Sequence, residues 1–375
     1  MKTLILAGGG HAHVEVLRRF GLDRPPGVRV LLVSPDAHTP YSGMLPGLLA
    51  GHYSRDDCHI DLRPLCGRAG AAFAVTRVEG IDLPGRRVRC ADGQTHEFDA
   101  LSLDVGSTPD LRSVPGAAEH TVPVKPVSGL LEAWRDMEAR CERRPAGPLR
   151  LAVVGGGAGG AEVALAMRRR CRREDPRQEP AIAIVTNGLL SGHSARARVL
   201  VARALARRRI TLMDERLVVR LTAGEIQCAS GECVPADMIV WATGAAAVPW
   251  VRQCGLACDD RGFAAVNDGL QSSSHPFVFA AGDVATMLRR PLPKAGVFAV
   301  RQGPVLAGNL RRYLAGEPLR PFRPQPRYLS LMSTGDGHGI ASWAGLAWEG
   351  RWVWAWKDRI DRSFMRKYRA GRIPP

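Results

Sequence analysis

The sequence predicts an α/β protein with two doubly wound parallel sheets, because one structural plan occurs twice along its 375 residues. "TLILAGGG" from residue 3 is an apolar strand pattern that ends in glycines; a helical pattern, "VEVLRRF", and a second strand, "VRVLLVSP", follow. "LRLAVVGGGAGGAEVALAMRRR" from residue 149 repeats the plan and leads to "AIAIVTNG". A strand, a glycine turn, a helix and a parallel strand form the βαβ unit of a Rossmann-like, dinucleotide-binding domain.

The first glycine loop departs from the dinucleotide fingerprint Gly-x-Gly-x-x-Gly. It keeps Gly8 and Gly10 but has His13 at the third position, with His11 two residues earlier. One metal ion shared by the two histidines is disfavoured, because residues two apart on a helix point roughly 200° away from each other. We expect either a slightly displaced first helix or an imidazole that fills space beside the cofactor. His11 lies at a helix N-terminus, which lowers the pKa of an imidazole, and is a candidate catalytic proton carrier.

The second glycine loop, Gly155-x-Gly157-x-x-Gly160, is complete. Gly155 permits the tight turn, Gly157 lets the backbone approach a diphosphate, and Gly160 allows close packing of helix on strand. The helix that follows then directs free N–H groups at the phosphates.

The carboxylate that usually binds the ribose is missing from both units. Ser34 ends the second strand of the first unit, and Thr186 ends that of the second. A hydroxyl still hydrogen-bonds a ribose, but less strongly than a carboxylate. Arg196 and Arg198 follow Thr186 and either bind the 2′-phosphate of NADPH or belong to a general surface excess of arginine.

The remaining segments complete a four-part domain plan. Two stretches with alternating apolar and polar residues, 71–107 and 216–244, predict antiparallel meanders, and "RCERRPAGP" (140–148) predicts a linker. We expect the first part of the first domain over 1–125 and the second domain over 126–244. The chain then returns to the first domain over 245–320, and a small C-terminal α+β region occupies 321–375.

A strand end with Gly282-Asp283 forms a third element, in "PFVFAAGDVA", and a helical pattern arrives after Lys294. A carboxylate beside a glycine at a strand end accepts hydrogen bonds from ribityl or ribose hydroxyls. "DVGS" with Gly106 and "WATG" with Gly244 end the strands at which the chain crosses between the two domains.

Composition limits the functional classes. The formal net charge is +16, but only five of the 52 basic residues are lysine, which favours a genome-wide coding bias over nucleic-acid binding. Nine cysteines at irregular spacings argue against a secreted disulfide framework. With no signal-peptide pattern and no stretch of about 18 apolar residues, we expect a cytoplasmic protein, or one peripheral on the inner face of the cytoplasmic membrane.

These motifs resemble the pyridine nucleotide–disulfide oxidoreductase superfamily, flavoproteins with two dinucleotide-binding domains, to about residue 320. "TPYSGMLPGLLAGHY", "LQSSSHPFVFAAGDVA" and "YLSLMSTGDGHGIASW" most resemble the flavoprotein found alone or fused to selenide, water dikinase, which is related to type II NADH:quinone oxidoreductases. The resemblance implies FAD in the first unit and NAD(P)H in the second. The FAD residues it implies are Gly8, Gly10, His11, Ser34, Val78, Gly106, Gly282, Asp283 and Lys294, and the NAD(P)H residues are Gly155, Gly157, Gly160, Thr186 and Gly244.

Departures from the superfamily pattern narrow the chemistry. Dithiol members have Cys-x4-Cys in the first helix region, and this chain has that spacing only in Cys228 and Cys233, on a predicted hairpin of the second meander. Sulfide-oxidising relatives use a cysteine downstream of the Gly-Asp motif, whereas the last cysteine here is Cys258. The other candidate catalytic residues are Tyr41 (or Ser42) in "TPYSGMLPG" and Lys125 in "VPVKPVSG". Alternatively, the loop with Tyr41 and Ser42 only packs on the cofactor, and Lys125 faces solvent on a crossover loop.

We therefore expect an FAD-dependent oxidoreductase that takes hydride from NAD(P)H and reduces a quinone or another small acceptor. One alternative is a selenium- or sulfur-linked flavoenzyme that does not use NAD(P)H, with a functional link to selenophosphate synthesis. Another is a basic, redox-sensing flavoprotein that binds nucleic acid, which no nucleic-acid motif supports.

The C-terminal region has two interpretations. Trp352, Trp354 and Trp356 alternate as on one strand face, and a helix then places Ile360, Phe364 and Tyr368 on one side. Aromatic residues beside basic ones suit a peripheral membrane contact through 343–369. The alternative is a small domain with a tryptophan-lined core and a solvated basic face.

Overall fold

A computed structural model describes residues 1–143, 149–172 and 179–369. Its first sheet contains the strands β1 (Lys2–Ala7), β2 (Val28–Ser34), β5 (Ala72–Val75), β9 (Ala100–Leu103) and β21 (Val278–Ala280). The sheet is parallel, with strand order β21-β9-β1-β2-β5. Helices α1 (His11–Leu22), α4 (Leu62–Ala69) and α10 (Gly296–Ala315) pack together beside it. The wholly apolar strand segment Leu4–Ala7 is buried, as a sheet covered on both faces requires.

The second sheet contains the strands β11 (Val122–Pro123), β12 (Arg150–Val154), β13 (Ala181–Val185), β14 (Ile210–Met213) and β18 (Met238–Trp241). It has the same parallel architecture, with strand order β11-β18-β12-β13-β14. The helices of this domain are α6 (Val127–Arg143), α7 (Ala158–Arg170) and α8 (Ala195–Arg207). The predicted α/β class with two doubly wound sheets is confirmed.

Both predicted meanders are three-stranded and antiparallel. The first contains β6 (Val78–Asp82), β7 (Arg87–Cys90) and β8 (Thr95–Glu97), and the second contains β15 (Val218–Thr222), β16 (Glu225–Cys228) and β17 (Cys233–Pro235). The predicted linker over 140–148 is partly wrong, because helix α6 continues through Arg143. Residues 144–148 lie outside the described part of the chain.

Short elements connect the two domains and shape the loops above the sheets. The paired strands are β3 (His38–Pro40) with β4 (His59–Asp61), β10 (Thr108–Pro109) with β19 (Ala245–Ala246), and β20 (Ala264–Val266) with β22 (Ala285–Met287). The short helices are α2 (Leu45–Leu49), α3 (Arg55–Cys58), α5 (Ala117–His120) and α9 (Pro249–Gln253), with 3-10 turns at Ser42–Met44 and Gly282–Val284.

The C-terminal region is an antiparallel sheet followed by one long helix. Strands β23 (Ser330–Ser333), β24 (Gly339–Trp343) and β25 (Leu346–Gly350) precede α11 (Arg351–Tyr368). The predicted tryptophan strand is therefore wrong. In the helix Trp352 and Trp356 share one side and Trp354 lies on the opposite side, since two residues span roughly 200° of helix, whereas a strand would place all three on one face.

Helix α11 packs on the rest of the chain through a stripe that includes charged residues. The buried positions are Val353, Lys357, Asp361, Met365 and Tyr368. Trp352 and Trp356 lie on the outer face, and Ile360, which the sequence placed with Tyr368, is also exposed. No helix in the described ranges is long and apolar enough to cross a membrane.

Candidate active site

The two glycine loops have the same backbone conformation. Gly10 and Gly157 precede α1 and α7 with φ and ψ of −67° and 171° and of −66° and 171°. Gly8 and Gly155 have positive φ angles of 97° and 125°, which favour glycine. The internal repeat read from the sequence therefore extends to the geometry of the loops.

The second loop has space for a dinucleotide diphosphate. A Cβ placed on Gly157 would have no neighbour within 4 Å, and α7 has no side-chain cap at its N-terminus. A Cβ on Gly160 would lie 2.1 Å from the carbonyl oxygen of Gly155, so this position needs glycine for packing. An open, uncapped helix N-terminus is where a diphosphate binds.

Ser34 and Thr186 pack against the middle glycine of their loops. A Cβ on Gly9 would lie 2.9 Å from Ser34 Oγ, and one on Gly156 would lie 2.4 Å from Thr186 Oγ1. The Thr186 hydroxyl also donates to the carbonyl of Gly188 at 3.3 Å. A small hydroxyl residue therefore occupies the strand end that usually has a carboxylate in both units. Arg196 and Arg198 are exposed on the first turn of α8.

His13 is a core residue. Its Nδ1 lies 2.7 Å from the Gly8 carbonyl oxygen and its Nε2 lies 2.8 Å from Ser102 Oγ. Burial lowers the pKa of His13 to about 4, so the ring is neutral at physiological pH. The imidazole fills space between the glycine loop and strand β9, inside the core.

His11 lies on the first turn of α1, where it contacts aromatic rings from two other segments. Its ring meets Tyr41 edge-on at 5.5 Å between centroids, and Phe364 of α11 at 5.9 Å. Its Nε2 is buried and has no hydrogen-bond partner in the described part of the chain. Burial, and then the charge of Lys125, lower the pKa of His11 to about 4. The lowered pKa agrees with the sequence analysis, although burial rather than the helix terminus is its main cause.

Tyr41 is held by α11. Its ring stacks on Phe364 at 4.4 Å between centroids, and its hydroxyl hydrogen-bonds the carboxylate of Asp361. Lys357 Nζ lies 2.7 Å from Asp361 Oδ2 and donates to the Gly43 carbonyl at 2.6 Å. Burial raises the pKa of both Tyr41 and Asp361.

Glu162 brings a second carboxylate to α11 from the nucleotide domain. It follows Gly160 on α7, and its Oε1 accepts the backbone N–H of Ser333 at 2.7 Å. Burial raises the pKa of Glu162 to about 7, against the opposing charge of Lys357. The sequence analysis did not select Glu162, Lys357 or Asp361. The available signal for Glu162 was a lone acid among the alanines and glycines of "GGAEVALAM".

Lys125 and Asp283 form an ion pair between the domains. Asp283 Oδ2 lies 3.0 Å from Lys125 Nζ and accepts the Ser107 hydroxyl at 3.2 Å. The Gly282 N–H donates to Gln302 Oε1 of α10 at 2.7 Å, another contact that the sequence did not predict. Two residues selected separately from the sequence are thus direct neighbours.

Lys294 is turned toward strand β22. Its ammonium donates to the Ala285 carbonyl at 2.6 Å and lies 3.8 Å from the centroid of the Phe263 ring. Burial lowers the pKa of Lys294 to about 8. Together with Gly282 and Asp283 it lines one cleft.

Val78, Gly106 and Gly244 are the other residues that the sequence predicted as cofactor contacts. Val78 is buried at the start of β6, and Gly106 has a positive φ of 74°. A Cβ on Gly244 would meet nothing within 4 Å.

The cysteines and histidines do not form a metal or dithiol site in the described ranges. No group of three potential metal-ligating side chains lies close enough to hold an ion there. Cys228 and Cys233 lie on β16 and β17 of the second meander, as predicted, and both are free thiols. Burial raises the pKa of Cys58 to about 12 and that of Cys66 to about 11, so neither is a thiolate at physiological pH.

Comparison with known proteins agrees with this architecture. A NADH dehydrogenase-like protein of Mycobacterium tuberculosis is 29% identical over 297 residues, which are 76% of this chain and 73% of the relative. The demethylphylloquinone reductase of Synechocystis is 24% identical over 298 residues, 76% of this chain and 72% of its own. Among solved structures, the sulfide:quinone oxidoreductase of Aquifex aeolicus has a TM-score of 0.83 at 19% identity, covering 100% of this chain and 93% of that one. NDH2 of Plasmodium falciparum in complex with NADH also has a TM-score of 0.83, at 14% identity, and the match covers 98% of this chain and 97% of that one.

The family profile of the pyridine nucleotide-disulphide oxidoreductases matches residues 2–303. This match spans both glycine loops and the Gly282-Asp283 turn. The family consists of oxidoreductases that use FAD and NAD(P)H, so the cofactors and the enzyme class expected from the sequence are confirmed. The chain belongs to the pyridine nucleotide-disulphide oxidoreductase family, related to the type II NADH dehydrogenases.

Proposed function

We propose that this enzyme oxidises NAD(P)H through FAD and reduces a quinone bound beside α11. The observation that carries the proposal is the convergence of both glycine loops on that helix. His11, on the first turn of α1, contacts Phe364, and Glu162, on the second turn of α7, lies within the electrostatic influence of Lys357. Each helix starts at a dinucleotide loop, so groups bound at the two loops approach one cluster of side chains.

The binding residues fall into two sets, as the sequence proposed. FAD would be held by Gly8, Gly10, His11, Ser34, Val78, Gly106, Gly282, Asp283 and Lys294, and NAD(P)H by Gly155, Gly157, Gly160, Thr186 and Gly244. When bound, FAD would supply the acceptor for the hydride of the nicotinamide and the electrons for the quinone. The Lys125–Asp283 ion pair orients the carboxylate at the first set.

Reduction of a quinone requires protons as well as electrons, and the cluster contains groups that supply them. Glu162, with a pKa near 7, exchanges a proton readily at physiological pH. The Tyr41 hydroxyl donates to Asp361, which leaves its oxygen oriented as an acceptor, and the neutral His11 ring, whose Nε2 has no partner among the described residues, offers a hydrogen bond to an acceptor oxygen. We assign His11, Tyr41 and Lys125 to the active site on this basis.

A quinone is favoured over sulfide or selenide as the substrate. The demethylphylloquinone reductase among the relatives supports a quinone, whereas the buried Cys58 and Cys66 thiols do not support sulfur transfer. A link to selenophosphate synthesis rests only on the sequence resemblance. Reduction of the flavin by selenide, with no reduction by either nicotinamide nucleotide, would favour that alternative.

The exposed aromatic surface supports a peripheral membrane contact through 343–369. Four tryptophans are exposed in this region, at 343, 348, 352 and 356, so they do not line a core. Trp352 and Trp356 stack on each other on the outer face of α11, beside the exposed Arg351 and Arg359. Amphipathic rings beside arginines suit the headgroup layer of an anionic membrane, where quinones are dissolved.

Steady-state kinetics test this proposal. NADH or NADPH oxidation is followed by absorbance with a short-chain, water-soluble quinone, in the wild type and in the Tyr41→Phe variant. We expect quinone-dependent oxidation, slowed about tenfold or more in the variant because the Asp361-bound hydroxyl is lost. Tyr313→Phe, which removes a tyrosine hydroxyl from α10 away from α11, serves as the matched control. No quinone-dependent oxidation with either nucleotide would reject the proposal.

A further inference from the structure

Asp104 caps the first helix from the end of strand β9. Its Oδ2 accepts the backbone N–H groups of Ala12 at 2.8 Å and His13 at 3.0 Å. These are two of the free N–H groups at the start of α1, where a dinucleotide diphosphate binds. The side chain is buried, with 3% of its surface exposed.

The second unit has no such carboxylate. Ala242 occupies the equivalent place: its N–H donates to the Val154 carbonyl, as that of Asp104 donates to the Ala7 carbonyl, both at 2.8 Å. A Cβ on Gly10 would lie 2.3 Å from Asp104 Cγ, whereas one on Gly157 would meet nothing within 4 Å. A carboxylate thus fills, in the first unit, space that the otherwise identical second loop leaves open.

The surroundings of Asp104 are electrically unfavourable to a second anion. No ion pair to Asp104 is present among the residues that the structure describes, and Asp283 adds a like charge nearby. Lys125 is paired with Asp283, and His13 is neutral. Burial, with a contribution from Asp283, raises the pKa of Asp104 to about 7 although two N–H groups stabilise its ionised form.

We infer that Asp104 takes up a proton when FAD binds, so that it donates a hydrogen bond to the diphosphate. The inference rests on the proposed FAD site. An ionised Asp104 would compete with the diphosphate for the same helix N-terminus, while the protonated form removes the repulsion and becomes a donor. The first unit therefore couples FAD affinity to pH, and the second unit, with Ala242, does not couple nucleotide affinity to pH in this way.

The direction of the pH dependence follows from the pKa of about 7. Below pH 7 Asp104 is already protonated, so the dissociation constant of FAD is flat. Above pH 7 each FAD bound takes up one proton, and the dissociation constant rises about tenfold per pH unit. His11 and His13, with pKa values of about 4, do not titrate in this range.

The test measures FAD binding to the protein freed of flavin, from about pH 6 to about pH 8.5, by flavin fluorescence. Calorimetry at pH 8 in two buffers of different ionisation enthalpy gives the number of protons taken up. Asp104→Asn is the informative variant, because its amide oxygen still accepts the Ala12 and His13 N–H groups and its NH₂ group imitates the protonated acid. Glu97→Gln, an exposed carboxylate paired with Arg87, is the matched control.

For the wild type and Glu97→Gln we expect a rising dissociation constant above pH 7 and uptake of nearly one proton. For Asp104→Asn we expect a flat profile and no uptake. Identical profiles in the wild type and Asp104→Asn, or no proton uptake by the wild type, would overturn the inference; the wild-type calorimetry decides it even if the variant does not fold. Failure to bind FAD at any pH would instead reject the proposed FAD site.

Discussion

Lys357→Met is predicted to be strongly destabilising, because it isolates a buried carboxylate. Lys357 and Asp361 have side chains only 7% and 6% exposed, and they are 2.7 Å apart. Removing one partner of a buried ion pair costs about 3–5 kcal/mol, since the other charge remains desolvated. The Gly43 carbonyl also loses its 2.6 Å donor, which places the expected loss of unfolding free energy toward the upper end of that range.

A double variant separates the stability of α11 from its function. Lys357→Met with Asp361→Leu removes both charges of the pair, and Glu162, once without the opposing charge of Lys357, stays protonated, so we expect the free energy of unfolding to recover to within about 2 kcal/mol of the wild type. Quinone turnover by the double variant should nevertheless be slower than in the wild type, because Tyr41 has lost the carboxylate that fixes its hydroxyl. Arg359→Met, on the exposed face of the same helix, is the control and should change stability by no more than about 0.5 kcal/mol.

Urea denaturation followed by circular dichroism and flavin fluorescence measures these free energies. If the free energy of unfolding of Lys357→Met fell by less than about 1 kcal/mol, the reasoning would be refuted, since breaking a buried ion pair costs about 3–5 kcal/mol. A double variant no more stable than the single one would refute it as well, because the penalty would then not come from the isolated charge.

Three further predictions test other parts of the site. His11→Ala should retain FAD and slow quinone turnover about tenfold or more, whereas turnover equal to the wild type would reduce His11 to packing. Burial alone would raise the pKa of Glu15, but its hydrogen bonds with Arg18 and Lys367 outweigh burial and lower the pKa to about 2. The stability that Glu15 contributes is therefore complete above pH 4.5 and is lost as the pH falls toward 2. Urea denaturation should therefore find Glu15→Gln less stable than the wild type at pH 6 and equal to it near pH 2; a constant difference would contradict this. Trp352→Ser with Trp356→Ser should weaken sedimentation with anionic vesicles about tenfold without altering the kinetics with a soluble quinone, and unchanged sedimentation would exclude these rings from the contact.

The two sheets could be predicted because their signals are local. A buried strand, a glycine loop and a helix follow one another in a single segment, and Gly155, Gly157 and Gly160 have steric roles that depend on the loop itself. The first turns of α11 were misassigned because tryptophans at 352, 354 and 356 follow the alternation of one strand face, whereas in the helix Trp354 lies opposite Trp352 and Trp356. Only Gly350, with a φ of 153° at the end of β25, marks where the strand ends and the helix begins.

The polar cluster could not be predicted because its members come from distant segments. The fold buries Glu162, Lys357 and Asp361 near one another, so that their charges interact, and no spacing along the chain indicates this. Asp104 was passed over for the same reason: "DVGS" identifies a strand end, but only the fold brings its carboxylate to the N-terminus of α1. His11 and Tyr41 were selected from their motifs, and their mutual contact became visible only in three dimensions.

Anaerobic reduction of the bound flavin tests the central claim most directly. The purified protein is titrated with NADH and with NADPH while the flavin absorbance is recorded, beside the Gly157→Ala variant, whose methyl group meets no protein atom but enters the proposed diphosphate space. We predict that at least one nucleotide bleaches the wild-type flavin, and that Gly157→Ala retains FAD but requires at least about tenfold more nucleotide. A flavin that neither nucleotide reduces, or a protein without flavin absorbance, would contradict the account.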